Sequence, residues 1–312
     1  MKIMKMRTAR IHTFGDTSVI RHEDVPRPRP AGGEVLVRVA ATSFNPTEAA
    51  LRAGFLQSFL PVDLPYTPGW DVAGTVAGIG PGTEGFAVGD RVVGRLEDAG
   101  AAAEYVAAPV ASLTPAPTSV PLAHAAALPV AGLTAWQAVF EHGEVTTGLR
   151  VLVNGAGGGV GGFVTQLAAY AGAEVIATAG PRSTAAVRRH GADQVIDYTT
   201  GPVAAALDRP VDTLLNLVPL SPHDAAALIP AVRPGGRIVS IATPFEPPAE
   251  TGVTATHMVA RNDVAQLAAL VELVDAGKVS LDISASHPLA DLAEVHRLGE
   301  TGRIRGKVLI VP

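Results

Sequence analysis

Between Val151 and Gly162 the chain reads VLVNGAGGGVGG, with six glycines in the eight residues from Gly155. A short apolar run of strand type precedes this loop, and a helical pattern from Phe163 to Ala171 follows it. Such a turn brings bare backbone close to the space before a helix N-terminus, where free N–H groups and a partial positive charge collect. A second strand pattern, EVIATA from Glu174, completes the β-α-β context in which such a loop seats a dinucleotide pyrophosphate. Gly155, Gly158, Gly159, Val160 and Gly161 are therefore candidate cofactor contacts.

Residues 151–173 carry no charge over 23 positions, a length that could span a bilayer. Seven of them are glycine and the pattern changes from strand to helix midway, which a buried β-α-β unit explains and a membrane helix does not. The 312 residues suggest two domains, because single cores stop growing at about 250–300 residues. A hydrophobic fraction of 47% with 17% charged residues describes a folded α/β chain. The net charge of −5, without a basic block, argues against nucleic acid or an anionic membrane as partner. The basic opening MKIMKMR is followed by IHTFGD, which supplies no apolar signal core, so a cytoplasmic protein is expected. There is no cysteine, which excludes disulfides, thiol catalysis, iron–sulfur clusters and every Cys-containing zinc site.

Up to about residue 120 the chain reads as all-β: VLVRVAA, VAGTVAGI, DRVVGRL and EYVAA alternate with Pro/Gly clusters, a spacing that predicts a compact barrel-like domain. Helices are predicted at 122–128 and 132–142. From Val151 the strands VLVNG, EVIATA, QVIDY, VDTLLNLV and GRIVSIA, with a sixth near VTATHMV, alternate with helices at 158–171, 183–190 and 221–232. That alternation predicts a doubly wound parallel sheet. An amphipathic helix at 263–276, a short strand, a helix ADLAEVHRLGETG and a last strand KVLIVP close the chain. The expected division is a β domain of 1–122 and 279–312, with a nucleotide domain of 123–278 inserted. A short-chain dehydrogenase is excluded by the central position of the loop and by the lack of a Tyr-x-x-x-Lys pair.

Several segments, in order and over nearly the whole chain, resemble the medium-chain dehydrogenase/reductase superfamily, in its zinc-free quinone oxidoreductase (zeta-crystallin-like) branch. They are FNPTEAALRAG, LPYTPGWDVAGTVAGIGPGTEGFAVGDRV, LPVAGLTAWQAV, GAGGGVG, GADQVIDY, PGGRIVSIA and GRIRGKVLIV. The resemblance implies a GroES-like β domain on the substrate side and a Rossmann domain for the cofactor. Zinc-dependent relatives place His-Glu after a Pro-Gly, where this chain has Pro68-Gly69-Trp70-Asp71. Without cysteine, and with tryptophan in the histidine position, no metal site is expected. Reduction of a quinone or a conjugated C=C bond, which needs less polarisation than alcohol oxidation, is what remains.

The end of the second strand, Thr178-Ala179-Gly180-Pro181-Arg182-Ser183, carries no acid to bind a ribose 2′-hydroxyl; Glu174 lies at the opposite end. Small residues followed by Arg182 and Ser183 suit a 2′-phosphate, so NADPH is the expected cofactor; a solvated Arg182 is the structural alternative. By resemblance Tyr198 borders that phosphate, Thr134 contacts the nicotinamide region, and Asn216, Leu217, Val218, Ile241 and Ala242 stand at its strand tips. Lys307 is a further cofactor-side candidate, with a solvated strand-edge lysine as its alternative. Asn45 and Tyr66 are the candidate catalytic donors to the substrate oxygen, although each could instead shape a loop. Phe44, Phe55, Phe59 and Trp70 would line an apolar substrate pocket or form barrel core. No proton donor is evident, since Ala50 and Phe55 stand where several relatives carry tyrosine. The expectation is an NADPH-dependent reductase of a small quinone or enone, forming a homodimer. The alternatives are an enoyl reductase of a natural-product or polyketide intermediate, and an NADPH-binding protein with a structural or regulatory role.

Overall fold

The structure, a computed structural model, describes residues 4–312. The chain divides into two compact units, one of residues up to Val130 with Asn262–Ala276 and Ile283–Pro312, the other of Ala131–Arg261 and Gly277–Asp282.

The first unit opens with β1 (Lys5–Ile11), β2 (Ile20–Pro26) and β3 (Glu34–Ser43), followed by the short helix α1 (Pro46–Arg52). Strands β4 (Asp71–Ile79), β5 (Arg91–Arg95), β6 (Tyr105–Pro109) and β7 (Leu113–Pro115) complete its first part. An all-β reading of this region misses α1, because seven residues leave little periodicity to see. Pro46 at the first helical turn, preceded by an extended Asn45 (φ −127°, ψ 135°), sets the helix start. Alternate residues of β3 (Val35, Val37, Val39) pack with Val72, Val76, Val92, Leu96 and Val106 in one core. A second core joins Ile11, Phe44, Leu51, Val295 and Ile310. Each such aliphatic side chain contributes about 1.5–3 kcal/mol when fully buried.

The second unit holds α2 (Pro129–Trp136, from Ala131 onward), β8 (Arg150–Asn154), α3 (Gly159–Tyr170), β9 (Glu174–Thr178), α4 (Thr184–Arg189) and β10 (Gln194–Ile196). Then come β11 (Val211–Asn216), α5 (Pro222–Leu228), β12 (Val232–Ser240) and β13 (Thr254–His257). All six strands are parallel, in the order β10-β9-β8-β11-β12-β13, so the chain reverses its winding between β8 and β11. In such sheets ligands bind at the C-terminal strand ends beside this switch. The predicted helix at 221–232 is shorter, because Pro230 lacks an N–H and leaves only a 3₁₀ turn (Ile229–Ala231) before β12. Likewise Leu122–Ala127 is 3₁₀-helical, and α2 runs on as a π-helical turn over Gln137–His142.

The chain then adds α6 (Val264–Asp275), β14 (Ile283–Pro288), α7 (Leu292–Glu300) and β15 (Lys307–Val311) to the first unit. Its seven-stranded sheet runs β14-β15-β3-β4-β5-β7, with β6 also on β3. Helix α6, expected within 123–278, groups with the β unit. The Asp275 carboxylate accepts the Thr118 and Ser119 amides at 2.8 Å, and Asn262 donates to the Arg95 carbonyl.

Candidate functional site

In the second unit the glycine loop connects β8 to α3. Gly155 has φ +97°, a conformation that side-chain-bearing residues rarely adopt, and its N–H donates to Thr178 Oγ1 at 2.9 Å. A Cβ on Gly161 would drive into the Gly155 carbonyl and the Ala156 backbone. Gly158 is the N-cap of α3 and brings no side chain to cap it, so the first-turn amides around Gly159, Val160 and Gly161 are left for an incoming anion. An uncapped helix start of this kind can take an anionic group.

At the tip of β9, Ser183 is buried with its hydroxyl on the Gly180 carbonyl at 3.3 Å, while Arg182 is exposed. Tyr198 is also exposed, and its hydroxyl lies 3.5 Å from where a Cβ on Gly180 would stand. No acid occupies this tip. Glu174, at the opposite end of β9, is paired with Arg150 and Arg209, and Asp197 caps the Thr199 amide. Leu217, Val218, Ile241 and Ala242 are half-buried beyond β11 and β12, whereas Asn216 is fully buried with its amide engaged inside the sheet. Thr134 is buried on α2.

In the first unit, Asn45, Asp71 and Lys307 form a buried charged cluster. Lys307 Nζ donates to Asn45 Oδ1 at 2.8 Å and to the Phe44 carbonyl at 3.2 Å, and lies 3.6 Å from Asp71 Oδ2. Asn45 Nδ2 donates to Asp71 Oδ2 at 2.9 Å, the Ser43 hydroxyl donates to the same oxygen, and the Val130 amide reaches Oδ1 at 2.7 Å. Lys307 is therefore not a solvated strand-edge lysine; its ammonium is bonded to groups of the β unit. Burial lowers its pKa, against the opposing pull of Asp71 and Glu48.

Glu48, on α1, is a member of this neighbourhood that the sequence reading passed over. Its Oε1 accepts the Gly69 and Trp70 amides, each at 2.9 Å. Burial and then the Asp71 charge raise its pKa to about 7, while the two amides and Lys307 oppose the rise. The signal was available: an acid in the first turn of NPTEAALR, on the face that the apolar Ala49 and Leu51 also bury. Tyr66 is held in the core by paired backbone bonds to Ile11. Its hydroxyl is buried without a bonding partner, beside the Trp70 indole, and burial followed by the Glu48 charge raises its pKa. Phe44 belongs to the core, edge-on to His296 at 5.2 Å. Phe55 and Phe59 are exposed, and Phe55 borders a 190 Å³ apolar crevice lined also by Ala49, Ala50 and Ala53.

Two sequence families match: "Alcohol dehydrogenase GroES-like domain" over residues 31–118 and "Zinc-binding dehydrogenase" over residues 190–310. The chain is 34% identical to the chloroplast envelope quinone oxidoreductase homolog of Arabidopsis thaliana, over 96% of this chain and 95% of that protein. It is 30% identical to the chloroplastic NADPH-dependent alkenal/one oxidoreductase of the same plant, over 96% of this chain and 78% of that protein. The solved quinone oxidoreductase of Coxiella burnetii superposes with a TM-score of 0.90 at 30% identity, over 99% of this chain and 100% of that one.

The zinc that the second family's description implies does not fit these residues. Trp70 offers no ligand atom, the Asp71 carboxylate is saturated by Ser43, Asn45 and Val130, and an ammonium already stands 3.6 Å from it. Among the described residues no group of three or more His, Cys, Asp or Glu could hold a metal. A nicotinamide dinucleotide does fit these residues, because the first-turn amides of α3 carry no side-chain cap and can take its phosphates.

Proposed function

The chain belongs to the zinc-free quinone oxidoreductase branch of the medium-chain dehydrogenase/reductase superfamily, and on that premise we propose an NADPH-dependent reductase of quinones and α,β-unsaturated carbonyls. One observation carries the reading: where zinc-dependent relatives assemble a metal, this chain buries a Lys307–Asp71–Asn45 cluster. With no Lewis acid to polarise an alcohol, the chemistry left is reduction of an acceptor that is already electrophilic.

NADPH, when bound, supplies the hydride, and solvent supplies the proton that completes reduction of a quinone to a hydroquinone or of an enone to a ketone. The amides of Gly159, Val160 and Gly161 hold the pyrophosphate at the start of α3. Arg182, Ser183 and Tyr198 surround the 2′-phosphate; the acid-free tip of β9 supports NADPH over NADH. Thr134, Leu217, Val218, Ile241 and Ala242 border the nicotinamide end. On the β unit, the Tyr66 hydroxyl stays protonated because of its burial and is the donor we assign to the developing oxyanion. Asn45 is positioned by Lys307 and Asp71. Strand β13 ends the parallel sheet with four exposed residues, which supports a homodimer joined along that edge. Among the described residues no helix is long and apolar enough to cross a membrane.

The test follows loss of NADPH absorbance with a panel of quinones, enones and enoyl thioesters. Turnover of quinones and small enones is expected. Tight NADPH binding without turnover on any of them would refute the reductase, and turnover confined to one bulky enoyl thioester would replace it with a biosynthetic enoyl reductase.

A further inference from the structure

The four central strands of the parallel sheet each end in a polar residue: β9 in Thr178, β8 in Asn154, β11 in Asn216 and β12 in Ser240. All four are buried. Directly before these tips the strands read VIA, VLV, LL and IV, as sheets covered on both faces do. Packing alone would accept the same residues at the tips.

The four side chains are joined into one hydrogen-bonded ladder. The Gly155 N–H donates to Thr178 Oγ1 at 2.9 Å, so the threonine hydroxyl gives its own proton to Asn154 Oδ1, also at 2.9 Å. That fixes the Asn154 amide, whose Nδ2 donates to Asn216 Oδ1 at 2.9 Å. Asn216 Nδ2 then reaches Ser240 Oγ at 3.0 Å and the Val218 carbonyl at 2.9 Å, and the Ala242 N–H closes on Ser240 Oγ at 3.3 Å. Each amide orientation is dictated by its neighbour, and successive bonds polarise one another.

Both ends of the ladder leave the sheet. One terminates on the phosphate loop at Gly155, the other on the backbone of Val218 and Ala242, and its middle rung joins β8 to β11, where the winding reverses. We propose that Thr178, Asn154, Asn216 and Ser240 are positioning residues for the nicotinamide dinucleotide, setting the distance between the loop that takes its pyrophosphate and the strand tips that take its nicotinamide. This rests on the cofactor assignment above. The side chains touch no ligand themselves; they act through the backbone they tie together.

The test compares dissociation constants, by calorimetry, for NADPH and for adenosine 2′,5′-bisphosphate, which lacks the nicotinamide half. Asn216→Leu should raise the NADPH constant about tenfold and leave the bisphosphate constant within about twofold. Thr178→Val, which frees the Gly155 amide, should weaken both ligands together, and Thr178→Ser should restore them. Where Asn216→Leu loses its circular dichroism signal, Ser240→Ala provides the smaller cut and should show the same asymmetry. Equal weakening of the two ligands in Asn216→Leu or Ser240→Ala, or no weakening of NADPH, would overturn the inference while leaving the cofactor assignment standing. Wild-type protein that binds neither NADPH nor NADH would overturn the assignment and this inference with it.

Discussion

Replacing Glu48 by glutamine should convert a pH-dependent stability into one that no longer falls toward neutral pH. The carboxyl is buried, and burial together with the Asp71 charge lifts its folded pKa from 4.5 to about 7. The folded state therefore holds a proton that the unfolded chain has released. Its contribution is fully present below the unfolded value and is lost as pH rises through about 7. Integrated from about pH 5 to about pH 8, the loss is on the order of 2–3 kcal/mol. Glutamine keeps the Oε1 acceptor for the Gly69 and Trp70 amides but has nothing to ionise. His296 works in the other direction. Burial and the Arg52 charge depress it to about 3, so its contribution is lost as pH falls below its ordinary value of 6.5. That term is common to both proteins and cancels in their difference. Urea denaturation of wild type and Glu48→Gln at the two pH values should show the variant gaining on the order of 2–3 kcal/mol relative to wild type at the higher one. A difference independent of pH would refute the reasoning. It would mean that Lys307 and the two amides keep the carboxylate ionised throughout.

Arg182→Ala should raise the KM for NADPH by about tenfold or more and change that for NADH little, since a guanidinium–phosphate pair is lost only with the former; equal effects in initial-rate assays would remove its role. Lys307→Met leaves the Asp71 carboxylate buried without its cation and should cost about 3–5 kcal/mol in urea denaturation. The double variant Lys307→Met/Asp71→Asn should recover part of that loss, and simple additivity would show that the two do not interact. Gly161→Ala forces its new methyl against the Gly155 carbonyl, so calorimetry should show weakened NADPH binding; unchanged affinity would mean that the loop is free to shift.

The parallel sheet was legible because its evidence is local: apolar strand runs, a glycine loop and helical patterns alternate in chain order. The loop's conformation was legible for the same reason, since Gly155 and Gly161 are dictated by backbone geometry within a few residues of each other. Helix α6 groups with the β unit through a tie between Asp275 and Thr118–Ser119 that spans about half the chain and leaves no trace in periodicity. The burial of Lys307 was hidden for a related reason. At the head of KVLIV it resembles a solvated strand start, and only the fold brings Asn45 and Asp71, each more than 200 residues earlier, to its ammonium. The polar ends of the four strands stood in plain view as VLVN, VIAT, TLLN and RIVS, but their mutual bonding requires the strand order, which no single strand encodes.

The charged cluster also explains why Glu48 and Lys307 have to be read together. Lys307 and Asp71 balance each other, so a second carboxylate nearby would leave the buried group with a net negative charge. Such a charge is costly in a low-dielectric core, and protonating Glu48 removes it at the expense of only its weaker hold on two amides. Three donors and the ammonium converge on the Asp71 carboxylate, whereas Glu48 is held by two amides alone. An apolar filling of similar volume would be no less stable. What it could not supply is a fixed amide: Asn45 is held at both its oxygen and its nitrogen, and it can turn only if Lys307 or Asp71 moves as well.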